Sequence, residues 1–393
     1  MSARFVANRL PRDRSPNAWS LRLGERRAAG APLLDLSEAN PTRVGLSGVG
    51  PEELAALAAP GALRYDPEPR GVAAARAAVA SYYRDRGHTI APDELVLTAS
   101  TSEAYAHLFR LLTDPGESLL VPAPSYPLFE PLAALEGVRL GSYRLAWDGR
   151  WHLDLGSLEA AFTPGVRGVV VVQPNHPTGS CLAPDERETL EGLCERHGAA
   201  IIADEVFGDF AWGTRGDTLP SLIGPRRVPT FVLSGLSKVC GMPQMKLGWI
   251  AVAGPASARG EALAGLEWIA DLFLSVSTPV QLALPRLLAG RHAWQARVRE
   301  RIAVNIARLE QAVAREPRLE WLAGEGGWVT VLRVPRRLSE EEWVLELLNR
   351  DVVAHPGQFY DFDREAFLVV SLIVTPADFD AGLSRIEALV TEN

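Results

Sequence analysis

The sequence predicts an α/β fold in which a buried, largely parallel sheet lies between helices and a smaller α+β unit follows. Three observations point there. Short apolar segments alternate with helical ones between residues 94 and 253. Those segments are apolar at nearly every position rather than every second one, the signature of a sheet covered on both faces. After residue 281 the pattern changes: a long Arg- and Ala-rich helical stretch to residue 314 leads into strand-like segments separated by a helix.

The elements follow in order. Residues 94–99 (ELVLTA) read as a buried strand, then a helix runs from Thr101 to Leu112 and stops at the Asp114-Pro115-Gly116 turn. Residues 118–121 and 168–173 are two further strands. A helix from Pro184 to His197 opens on proline, which suits a first helical turn, and the strand 199–203 follows it. Residues 229–234 and 247–253 complete the set. Beyond the long helical stretch, 328–334 and 366–374 are strand-like and 339–350 is helical, a smaller unit that the N-terminal forty residues are expected to join.

Composition removes several classes. The chain has 393 residues, a net charge of −8 and 47% hydrophobic side chains, enough for a packed core and against disorder. No run of like charges suits nucleic acid or an anionic membrane, and no apolar run is long enough to span a bilayer. The arginine-dotted Met1 to Pro16 lacks the apolar stretch of a secretory signal, so a cytoplasmic location is expected. Three cysteines without ligand spacing predict neither a disulfide framework nor a metal site. The oddest number is that only two of 40 basic residues are lysines, Lys238 and Lys246. Arginine serves for generic charge here, and only lysine has an amine that forms an imine.

In an open parallel sheet, ligands bind beyond the carboxyl ends of the strands. After the first strand come Ser100, Thr101, Ser102 and Glu103, whose capping-box spacing sets a helix N-terminus suited to a phosphate or simply capped. After the second comes Tyr126 in a proline-stiffened turn, able to stack on a flat ligand or to plug the core. After the third, Asn175 and His176 are held between Pro174 and Pro177. Asp204 closes the fourth, a carboxylate costly to bury without a cationic partner. Ser237-Lys238 follows the fifth. A phosphate cup, a stacking ring, hydrogen-bond donors, an acid and an imine-forming amine together match the needs of pyridoxal 5′-phosphate.

In this order the landmarks Ala39-Asn40-Pro41, Tyr65 with Gly71, Thr98 to Ala104, Pro124-Ser125-Tyr126, Asn175 to Gly179, Asp204-Glu205-Val206 and Ser237-Lys238 leading to Gly248-Trp249 resemble the class I/II aminotransferases, the fold-type I pyridoxal-phosphate enzymes, over essentially the whole chain. The resemblance implies a large cofactor domain with a mostly parallel seven-stranded sheet over residues 45–280. It implies a small domain and N-terminal arm from residues 1–44 with 281–393. It makes Lys238 the imine-forming lysine and proton shuttle, Asp204 the acid on the pyridine nitrogen, Tyr126 the stacking ring, and Ser100, Thr101 and Ser102 the phosphate cup. Ser234 and Ser237 flank the phosphate, and Asn40 faces the substrate. Tyr65 reaches the neighbouring subunit's phosphate, so a homodimer is expected. The activity implied is amino transfer from an amino donor to a keto acid or aldehyde through pyridoxamine phosphate. The same fold and cofactor also serve lyases, decarboxylases and synthases, and, with an added DNA-binding region, regulators.

Departures at five positions qualify the resemblance. The two usual partners of the cofactor's phenolic oxygen are replaced: His176 stands for an asparagine, with Asn175 one place earlier, and Phe207 for a tyrosine. His176 is expected to supply the surviving hydrogen bond, and the imine to titrate higher with fewer donors. Lys246 replaces the phosphate-clamping arginine, and Gly235 a serine. Val369 stands where the family grips the substrate carboxylate with arginine, leaving Arg64, Arg70 and Arg364 as alternatives.

Overall fold

A computed structural model of the chain describes residues 7–11, 15–48, 50–212, 219–274, 276–363 and 366–392. Its large sheet contains, in chain order, β1 (Leu95–Thr98), β2 (Ser118–Ala123), β3 (Arg139–Trp147), β4 (Trp151–Leu153), β5 (Val166–Val172), β6 (Ala200–Asp204), β7 (Thr230–Gly235) and β8 (Gly248–Ala253). Their spatial order is β1-β8-β7-β6-β5-β2-β3-β4. Strands β7, β6, β5, β2 and β3 pair in parallel, while β8 runs antiparallel to both neighbours. The expected seven-stranded sheet is therefore present, extended by the three-residue β4 hooked antiparallel onto β3.

Burial explains why the strands are apolar throughout. Ile201 and Ala203 of β6 join one core with helices Ala73–Asp85, Pro184–His197 and Thr278–Ala289. Ala200 and Ile202 point the other way, into a core with helices Thr101–Leu112 and Ala256–Phe273. Successive strand residues face opposite sides, so a sheet covered on both must be apolar at every position. The sequence pattern missed β3, whose residues RLGSYRLAW are mostly exposed or half-buried beside the short edge strand. Its polar composition is that of a strand near the rim.

The long helical stretch is two helices, Thr278–Ala289 and Arg291–Arg315, meeting at Gly290. The C-terminal unit carries a four-stranded antiparallel sheet built from Glu320–Leu322, Val329–Arg333, Phe367–Ser371 and His355–Pro356. Leu34–Asp35 pairs in parallel with Val352–Val353, tying the N-terminal segment to this unit.

Candidate active site

The carboxyl ends of β1, β2, β5, β6 and β7 converge on one cavity of about 220 Å³. Ser100, Thr101, Tyr126, His176, Asp204, Phe207, Ser237 and Lys238 all line it. These residues come from five separate strand ends, and only the doubly wound topology brings them together.

Lys238 lies on the one-turn helix Leu236–Val239 directly after β7. Its Nζ stands 4.8 Å from the centroid of the Trp328 ring and 5.3 Å from that of Phe207. It has no ion pair among the described residues. Burial pushes its pKa down to about 8, with the Asp204 charge pulling the other way. A sizeable neutral fraction near physiological pH makes the amine nucleophilic.

Asp204 ends β6, buried to 7% exposure. Its Oδ2 accepts from the Tyr105 hydroxyl at 3.0 Å and its Oδ1 from the Val206 N–H at 3.1 Å, which fixes the plane of the carboxylate. Burial raises its pKa to about 6 against these hydrogen bonds and Lys238. Sequence reading missed Tyr105. Its signal is spacing, since Tyr105 lies four residues after Thr101 and so on the same helix face. Without a ligand, this site shapes the pH dependence of stability. Asp204 holds its proton more tightly folded than unfolded, so its contribution is complete below about pH 4 and is lost as pH rises through about 6. Asp204→Asn removes that decline. Thermal melts of the cofactor-free variant at pH 4 and 7 are expected to differ less than those of wild type, by the equivalent of roughly 2–3 kcal/mol.

Ser100 caps the helix Thr101–Leu112, its Oγ accepting from the Glu103 N–H at 3.1 Å while Glu103 Oε2 accepts from the Ala99 N–H at 2.6 Å. The first-turn N–H groups of such a helix have no intrahelical acceptor, and this end opens on the cavity. Two glycines let the strands approach it. A Cβ on Gly248 would lie 3.2 Å from the Ser100 carbonyl carbon and 3.3 Å from the Thr101 nitrogen. A Cβ on Gly235 would lie 2.9 Å from Gly248 Cα. This close pair accounts for glycine at 235 in place of a serine. Gly248→Ala displaces the helix N-terminus and is expected to weaken retention of added pyridoxal 5′-phosphate about tenfold in equilibrium dialysis, a cost of ~1.4 kcal/mol.

His176 sits with its ring stacked on Phe207, 6.0 Å between centroids at 16°, and edge-on to Tyr126 and Tyr360. Burial, with Lys238 and His355 adding, lowers its pKa to about 3, so the imidazole is neutral with one N–H to donate.

Other chosen residues stand outside the cavity lining. Asn175 is buried with its amide engaged: Oδ1 accepts from Ser125 Oγ at 3.1 Å, and Nδ2 donates to the Pro124 carbonyl and to Thr178 Oγ1. It locks the His176 turn onto the Tyr126 turn. Ser234 is fully buried, with no hydrogen-bond partner for its hydroxyl among the described residues. Ser102 occupies the second position of the capped helix. Lys246 is exposed, in a left-handed conformation at φ 51°. Asn40 folds back on its own loop, its Oδ1 accepting from the Thr42 N–H and hydroxyl. Tyr65 is 78% exposed on a different groove.

Val369 packs in an apolar cluster with Val329, Val331 and Tyr360, and Val329 itself forms part of the cavity wall. Lys238 is the only Lys or Arg among the described residues lining the cavity. Arg70 is paired with Glu267 at 3.3 Å, and Arg364 lies outside the described residues.

The donor set fits pyridoxal 5′-phosphate: an amine with no ion pair among the described residues for an aldehyde, a buried carboxylate for a cationic ring nitrogen, a helix N-terminus for a phosphate. The family profile described as aminotransferase class I and II matches residues 31–386. Nicotianamine aminotransferase 1 of Oryza sativa subsp. japonica is 30% identical over 223 residues, covering 56% of this chain and 44% of that protein. Glutamate-pyruvate aminotransferase AlaA of Escherichia coli K12 is 27% identical over 222 residues, 56% and 55% of the two chains. The chain thus spans about half the length of the curated relatives it matches. The crystal structure of an aminotransferase from Escherichia coli superposes with a TM-score of 0.86 at 22% identity, over 100% of this chain and 99% of that one. The chain belongs to the aminotransferase class I and II family.

Proposed function

We propose that the protein is a pyridoxal 5′-phosphate-dependent aminotransferase that moves an amino group from an amino donor to a keto acid or aldehyde. The observation that carries this reading is the presence, in one cavity, of a lysine amine with no ion pair among the described residues and a buried carboxylate. When bound, the cofactor supplies an aldehyde for Lys238 and a ring that takes up the electron pair of the bond broken at the substrate carbon. Asp204, fixed by Tyr105 and the Val206 N–H, holds a proton at the ring nitrogen. Lys238, whose burial lowers its amine's pKa to about 8, would serve as the base that moves the substrate's proton. Tyr126 covers one face of the ring. The helix end at Ser100, Thr101 and Ser102, with Ser237, binds the phosphate, and Lys246 adds charge from the rim. The neutral His176 ring donates to the phenolic oxygen, while Phe207 packs against it.

Residues 45–280 form the cofactor domain in this reading, and residues 1–44 with 281–393 the small domain. A homodimer accounts for the exposed Leu63, Tyr65, Trp268 and Leu272, and the partner subunit's Tyr65 reaches the phosphate. The described residues contain no helix long and apolar enough to cross a membrane. A cytoplasmic protein fits the composition, with small-molecule substrates and Asn40 beside them.

The test is a two-stage assay on the purified protein loaded with pyridoxal 5′-phosphate. An amino donor is expected to bleach the visible band and yield a stoichiometric keto product, and a keto acid or aldehyde to restore the band. Release of carbon dioxide or ammonia without restoration would assign the site to decarboxylation or elimination instead.

A further inference from the structure

Behind the cavity lies a buried polar cluster that none of the chemistry above uses. Asp209, at 2% exposure, stands five residues after Asp204, on the segment that also carries Phe207. Its carboxylate accepts from the Tyr82 hydroxyl at 2.9 Å and faces Arg86 Nε at 3.4 Å. Arg86 donates in turn to Tyr82 and to the carbonyls of Gly208 and Leu219. A buried carboxylate held this way is already satisfied. Yet a further donor reaches it, Gln295 of the helix Arg291–Arg315, itself 3% exposed. Its Nε2 donates to Asp209 Oδ2 at 3.1 Å and to the Val239 carbonyl at 2.9 Å. Val239 is the residue after Lys238.

An amide nitrogen has two hydrogens, and here each goes to a different turn. One turn follows β6 and presents Asp204 and Phe207; the other follows β7 and presents Lys238. We infer that Gln295 is a positioning residue: a single buried amide from the long helix sets the spacing between the Lys238 turn and the Asp204–Phe207 turn. The inference rests on the reading of Lys238 and Asp204 as the working pair. Asp209 keeps Tyr82 and Arg86 without Gln295, so what the amide adds is the link to Val239. Buried groups are sensitive to small displacements, because the lysine's ionisation depends on how completely it is desolvated and on its distance from Asp204. The titratable groups facing Lys238 are Asp204 and His176, with the rings of Phe207 and Trp328 around its Nζ.

The two-lysine composition makes the test direct. Reductive methylation of the full-length, cofactor-free protein with 13C-formaldehyde labels Lys238 and Lys246, giving two lysine signals to follow against pH. In Gln295→Met the link is lost, water gains access and the Lys238 midpoint is expected to rise by at least about half a pH unit, roughly threefold in ionisation ratio, while Lys246 stays put. Asn305→Leu is the control. It removes two buried hydrogen bonds of the same helix, to the Leu372 and Val374 carbonyls, and is expected to lower thermal stability without moving Lys238. Should Gln295→Met fail to fold, Gln295→Asn keeps the amide one methylene too short to bridge both acceptors and gives a smaller rise. An unmoved Lys238 midpoint in the folded Gln295 variant, or an equal shift in Asn305→Leu, overturns the inference. Adding pyridoxal 5′-phosphate to wild type separates the two readings: a protein that stays colourless refutes the cofactor assignment, whereas the lysine titration still reports on Gln295.

Discussion

Lys238→Ala is expected to leave the chain folded, colourless with added pyridoxal 5′-phosphate, and depressed in amino transfer on the order of 10⁴-fold or more. The amine has two tasks in the proposed reaction, attachment of the cofactor and transfer of the substrate's proton. No other described residue of the cavity has a primary amine to replace either. The only other lysine, Lys246, is exposed and outside the cavity lining. Folding should survive because Lys238 has no ion pair among the described residues to lose and its burial opposes its charge. Circular dichroism and thermal melts check the fold, absorbance checks the cofactor, and a single-turnover assay checks the rate. Lys238→Arg separates charge from chemistry: it restores a cation but not an imine-forming amine, and is expected to stay inactive.

Asp204→Asn is expected to lower the rate on the order of 10²- to 10³-fold while leaving the cofactor bound through Lys238. The substitution keeps shape and much of the hydrogen bonding from Tyr105 and Val206 but removes the charge opposite the ring nitrogen. A buried carboxylate near a cation is worth several kcal/mol at protein dielectric, and about 3–4 kcal/mol of lost transition-state stabilisation corresponds to that range. The effect should fall on kcat and kcat/KM together, since the charge develops during the reaction rather than on binding. Tyr105→Phe, which removes one of the two hydrogen bonds on Asp204, should fall between wild type and Asp204→Asn in the same assay.

Much of this site was legible because its parts directly follow strands whose burial on both faces wrote itself into the composition. Ile201 and Ile202 had to face different cores, so the strand before Asp204 was apolar throughout and its end easy to locate. The same logic pointed to Ser100, Tyr126, His176 and Lys238, which line one cavity. It failed where position depends on tertiary neighbours alone. Trp328 stands against Lys238 from the C-terminal unit, ninety residues further along the chain, and no local pattern joins them. Tyr105 was hidden within a helix whose first turn attracted the attention. The engagement of the Asn175 amide by neighbouring turns is likewise set by tertiary neighbours. The strand Arg139–Trp147 escaped because its half-exposed setting tolerates arginine and glycine.

The choice between two lysines puts the central claim to its most direct test. Reduction of the cofactor-loaded protein with borohydride, followed by peptide mapping, fixes the cofactor on whichever amine held it. The account predicts a stoichiometric label on the peptide containing Lys238 and none on Lys246. A label on Lys246, or a protein that binds the cofactor and takes no label, would contradict it.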